Sequence, residues 1–68
     1  MMVRFTFNGV STDVSADLSG PDPICEVMHH ASIIAGWAEG SRVSACKRDE
    51  IYYVESGGET VTAEVVTP

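Results

Sequence analysis

The 68-residue sequence is short of positive charge, of cysteine and of long apolar runs. Only Arg4, Arg42, Lys47 and Arg48 are basic, against ten carboxylates, for a formal charge of −6. Phosphate binding needs a clustered positive footprint, so direct nucleic-acid contact is not expected, and neither is attachment to an anionic membrane surface. Two cysteines, Cys25 and Cys46, lie far apart with no Cys-x-x-Cys pairing. They are too few for a disulfide framework of the secreted kind, which predicts a reduced, cytoplasmic setting. No apolar run approaches the roughly 20 residues of a membrane span. The N-terminal residues alternate in polarity and reach Asn8-Gly9 without the h-region of a signal peptide. A phosphate loop, G-x-G-x-x-G and H-E-x-x-H are likewise missing, and no cofactor is expected.

What is present is an ordinary globular composition, 44% hydrophobic and 21% charged, in a chain long enough for one domain over residues 1–68. A chain of this length buries only about 60% of its unfolded surface, so its core is thin.

Residues 2–7 alternate, with Val3, Phe5 and Phe7 on one side and Met2, Arg4 and Thr6 on the other. Residues 10–17 alternate as well, with Val10, Thr12, Val14 and Ala16 against Ser11, Asp13, Ser15 and Asp17. Asn8-Gly9 between them tolerates positive φ at both central positions of a type I′ turn. A two-residue turn pairs Phe7 with Val10, Phe5 with Thr12 and Val3 with Val14 on one face. It sets Arg4 opposite Asp13 on the other, an attractive cross-strand pair.

After Ser19-Gly20-Pro21, Asp22 is placed to cap a helix with Pro23 at its first position and Glu26 in its first turn. Ile24, Val27, Met28, Ala31, Ile34, Ala35 and Ala38 recur at helical spacing, which predicts a helix over 23–38 ended by Gly40. Strands are expected again over 43–48, 51–55 and 59–66. Gly57-Gly58 would pair Val54 with Val61 and Tyr52 with Ala63. Asp49-Glu50 either turns the first of these strands into the second or forms a bulge.

The order is β-β-α-β-β-β, an α+β domain with one helix on a mostly antiparallel sheet. This element order resembles that of the ubiquitin-like β-grasp over about two thirds of the chain, without a family motif. Ubiquitin-like modifiers and sulfur carriers end in Gly-Gly, whereas this sequence ends Val66-Thr67-Pro68. The resemblance therefore implies neither conjugation nor sulfur transfer.

Three kinds of residue could carry function. On a helix continuing to residue 38, Glu26, His30, Ile33 and Trp37 share the flank opposite the core stripe. Ile33 and Trp37 would then be large apolar neighbours on a face that should be polar, an adhesive surface of the kind where tryptophan concentrates binding energy. Tyr53, pointing to the other sheet face from Tyr52, would widen it. The acidic side chains, Asp13 and Asp17 among them, would present phosphate-like charge to a basic groove. Finally, Cys25 and His29 are i, i+4 on the helix, and Cys46 would complete a thiol or metal site, although the paired spacing of structural zinc ligands is missing. A domain with so thin a core has little room for a catalytic pocket.

These features predict a small acidic, non-enzymatic protein-binding module with a basic protein as partner. A stoichiometric inhibitor of the phage anti-defence or nucleic-acid-mimic kind fits that description. Two alternatives stand beside it: a self-associating protein whose core is completed by homo-oligomerisation, and a metal or thiol site at Cys25, His29 and Cys46.

Overall fold

The computed structural model describes residues 1–66. Strands β1 (Met2–Phe7) and β2 (Val10–Ser15) form the hairpin that their alternation predicts, with Phe7 opposite Val10, Phe5 opposite Thr12 and Val3 opposite Val14. Asn8 and Gly9 have φ of 52° and 79°, as a type I′ turn requires. Helix α1 (Pro23–Ala35) follows, then β3 (Ser44–Arg48), β4 (Ile51–Ser56) and β5 (Glu59–Val65).

The five strands form one antiparallel sheet in the order β2-β1-β5-β4-β3. β3, β4 and β5 are a meander whose last strand returns to the centre and pairs with β1, Val3 lying opposite Val65 and Phe5 opposite Ala63. The Gly57-Gly58 register is as expected, with Val54 opposite Val61 and Tyr52 opposite Ala63. Asp49-Glu50 is a two-residue turn and not a bulge, since Arg48 pairs with Ile51 and Lys47 with Tyr52.

Because side chains alternate across the pleat, these registers sort the sheet into two faces. Val3, Phe5, Val54, Val61, Ala63 and Tyr52 share the inner face and are buried together with Val27 and Ala31 of the helix. Met2, Arg4, Asp13, Glu64, Tyr53, Cys46 and Arg48 share the outer face, which is solvated as one face of an antiparallel sheet commonly is. The connection from β2 to β3 joins opposite edges of the sheet, so the helix spans the inner face. It packs on β1, β5, β4 and β3 and does not reach β2.

The helix is shorter than its apolar spacing predicts. It ends at Ala35, and Gly36, with φ of 70°, takes the left-handed position expected at Gly40. The Gly36 amide donates to the Ile33 carbonyl and the Trp37 amide to the Ser32 carbonyl, the two bonds of a Schellman motif. At the other end, Asp22 accepts from the Cys25 amide at 3.1 Å, and Pro23 occupies the first turn as expected.

Candidate functional site

The early helix end changes the proposed adhesive flank. Trp37 lies beyond the helix, one residue past the left-handed glycine, where the motif turns the following apolar side chain back toward the domain. The indole is half-buried against the core, and its Nε1–H donates to Glu59 Oε1 at 2.9 Å. Trp37 and Ile33 are therefore not i, i+4 neighbours on one helical face, and the expectation of an adhesive surface built on that spacing is corrected. Gly36-Trp37, a glycine followed by a large apolar residue directly after Ala35, is the local signal that marks the true end.

The rest of that flank is present. Glu26 Oε1 meets His30 Nε2 at 3.0 Å across one turn. His30 is half-buried, its ring tilted against Phe5 with centroids 5.9 Å apart. Since Phe5 belongs to β1, the flank carrying Glu26, His30 and Ile33 looks toward the β1–β2 side of the sheet. Ile33 is 66% exposed.

The other expected binding residues are dispersed. Asp13 lies on the outer face in a two-pronged ion pair with Arg4, at 2.9 and 3.2 Å. Asp17 stands in the β2–α1 connection, accepting from the amide and hydroxyl of Ser19. The Arg4 guanidinium holds the Asp13 carboxyl below its ordinary range, and the Ser19 hydroxyl and amide do the same for Asp17. Tyr53 is on the outer face beneath the Arg48 guanidinium, 4.5 Å from its ring centroid. Tyr52 is buried on the inner face, with Lys47 Nζ 5.3 Å from its ring.

The constellation of Cys25, His29 and Cys46 is not assembled. Cys25 and His29 line a shallow cavity of about 320 Å³ between the helix and the segment 37–43, together with Met28, Trp37 and Val43. Cys46, paired with Tyr53, is on the outer face, across the sheet from the helix. Both thiols are free and exposed. Among the described residues, no three His, Cys, Asp or Glu side chains converge as metal ligands would.

A second cavity, which the linear pattern did not reveal, lies at the end of the sheet where the β3–β4 turn stops short of β5. Ile51 pairs with Glu64, so Val65 extends past β4 and leaves a notch of about 300 Å³. Ile51, Tyr52 and Val65 give it apolar walls, while Asp49, Glu50 and Glu64 bring three carboxylates against the single ammonium of Lys47. Lys47 Nζ is 3.8 Å from Glu50. Asp49 and Glu50 both have positive φ, 50° and 68°, which projects them from a tight turn at the cost of backbone strain. These residues are far apart in the sequence, and only the register of β4 against β5 joins them.

Comparison with family models, with curated proteins and with solved structures finds no match to this chain. Its class is that of a small α+β domain with one helix on a five-stranded antiparallel sheet.

Proposed function

We propose that this protein is a non-enzymatic binding module that docks a basic protein, with the notch at Asp49, Glu50 and Glu64 receiving a lysine or arginine side chain. The observation that carries this reading is the pairing of apolar walls with three carboxylates in one concavity. A long basic side chain would lay its methylenes on Ile51, Tyr52 and Val65 and bring its charge to the acidic rim. The net charge of −6 would draw such a partner in and speed its association. Action would be stoichiometric, as in an inhibitor that occupies a basic groove otherwise open to nucleic acid.

Affinity capture from cell extract tests the reading. The wild-type chain is compared with a variant carrying Asp49→Asn, Glu50→Gln and Glu64→Gln, which keeps the shape of the notch and removes its charge. A basic protein should be retained by the wild type, be lost from the variant and elute as salt rises. Equal retention by the two chains would remove the notch from consideration.

A further inference from the structure

The sheet has two edges, and they are not equally guarded. β3 carries Lys47 and Arg48, charges of the kind that discourage edge-to-edge pairing. β2, Val10–Ser15, has no proline and no basic residue, and its one charge, Asp13, is neutralised by Arg4. The helix makes no contact with this strand, and of its inner-face residues only Val14 packs against the core. Val10 is 67% exposed and Thr12 is exposed, although both lie on the inner face.

Hydrogen-bond parity shows which groups of β2 are unspent. Ala16 and Met1 exchange both bonds, Ala16 N to Met1 O at 2.9 Å and the Met1 ammonium to Ala16 O at 3.2 Å. Mutually bonded pairs recur at every second residue of an antiparallel ladder, so Val14, Thr12 and Val10 also turn their amides and carbonyls toward β1. Ser11, Asp13 and Ser15 turn theirs outward.

We infer that β2 pairs with β2 of a second copy of this chain, antiparallel and with Thr12 on the two-fold axis. This register sets Val10 beside Val14 of the second copy on the inner face. It makes Ser11 and Asp13 of the second copy a mutually hydrogen-bonded pair, and likewise the reverse pair. It also gives the Asp13 carboxylate a serine hydroxyl opposite. Centring the axis on Asp13 instead would bring the two Asp13 carboxylates face to face, which like charges disfavour. The axis runs perpendicular to the sheet, so both helices lie on the same side. Between them runs a trough floored by Val10, Thr12 and Val14 of both copies, with Ile33 on the helix flank that looks toward it. The interface uses the β2 edge, which β1 separates from Glu64 of the notch, and it does not depend on the proposed function.

Sedimentation equilibrium from micromolar to millimolar protein tests the pairing. A monomer–dimer equilibrium is expected that strengthens with salt, because screening relieves repulsion between two chains of charge −6. Docking of a basic partner shifts the opposite way, so failure of one idea is distinguishable from failure of the other. Thr12→Lys opposes two ammonium groups on the axis and should weaken self-association about tenfold or more. Thermal melting in dilute solution confirms that this variant folds. Thr12 pairs with its symmetry mate at a non-hydrogen-bonded position, where Cα atoms are about 4.5 Å apart and a disulfide fits. With Cys25→Ser and Cys46→Ser as background, Thr12→Cys should therefore cross-link on mild oxidation much faster than Ser44→Cys on the opposite edge. A chain that stays monomeric throughout, a dimer indifferent to Thr12→Lys, or equal cross-linking at the two edges would each overturn the proposal. An edge that takes a foreign strand instead leaves the purified chain monomeric and belongs to the first of these outcomes.

Discussion

Several of the ten carboxylates already hold a partner inside the domain. Asp13 holds Arg4, Asp17 holds Ser19, Asp22 caps the helix, Glu26 meets His30 and Glu59 accepts from Trp37. The Asp13 partner was legible in the sequence, since the Asn8-Gly9 turn sets the register. The Glu59 partner was not, because Trp37 reaches it only after the chain reverses at Gly36. The Arg4 pair makes a pH prediction. Asp13 is held below its ordinary range in the fold, so the unfolded chain binds its proton more readily. The contribution of the pair is then present above the ordinary carboxylate pKa and is lost as pH falls through the depressed value. In an NMR carboxyl titration, Arg4→Met should raise the Asp13 midpoint while Asp17, held by Ser19, stays where it is. An unmoved Asp13 midpoint would show that the guanidinium is not the cause.

At the level of elements, three two-residue hairpin turns do the same geometric work with different chemistry. Asn8-Gly9 and Gly57-Gly58 accept positive φ readily, and both registers were legible for that reason. Asp49-Glu50 has the same backbone sign without a glycine, which is why the sequence pattern left a bulge open there. Glutamate at φ of 68° is strained, and nothing in its 3.8 Å contact with Lys47 offsets this at an exposed site. Glu50→Gly should stabilise the domain by about 1 kcal/mol, raising the melting temperature by roughly 4–8 °C. If the notch docks a basic side chain, the same change should weaken capture of the partner, the trade between stability and function expected where strain is kept at a site. A melting temperature that is unchanged or lower would show the turn to be unstrained. The helix end teaches a related lesson. The apolar stripe runs on to Ala38, but a left-handed glycine at Gly36 outweighs the continuing pattern, because two carbonyls at the terminus gain donors there.

For the whole molecule, the core is small enough that single residues matter. Among the described residues nine side chains are buried, and Phe5 is the largest of those sealed completely. Phe5→Ala should cost about 3–5 kcal/mol, against a total of roughly 3–10 kcal/mol for a chain of this size. Urea denaturation should show a midpoint reduced by a third or more, or a chain already unfolded in water. A midpoint close to wild type would mean that the helix and sheet do not share this core.

Alternation, turn residues and the cap at Asp22 were enough to determine the order of the elements, the start of the helix and the registers of the hairpins at Asn8-Gly9 and Gly57-Gly58, but not the helix end or the turn at Asp49-Glu50. Each feature so determined is set between near neighbours in the chain, where a period of two or of 3.6 and the φ of one or two residues decide the outcome. The tertiary structure alone decided that β5 returns to lie beside β1, that Cys25 and Cys46 fall on opposite sides of the sheet, that Asp49 and Glu64 meet in one notch, and that β2 is an edge strand out of the helix's reach. Those outcomes depend on strands from opposite ends of the chain competing for one helix of 13 residues, and that competition is settled by packing over the whole sheet.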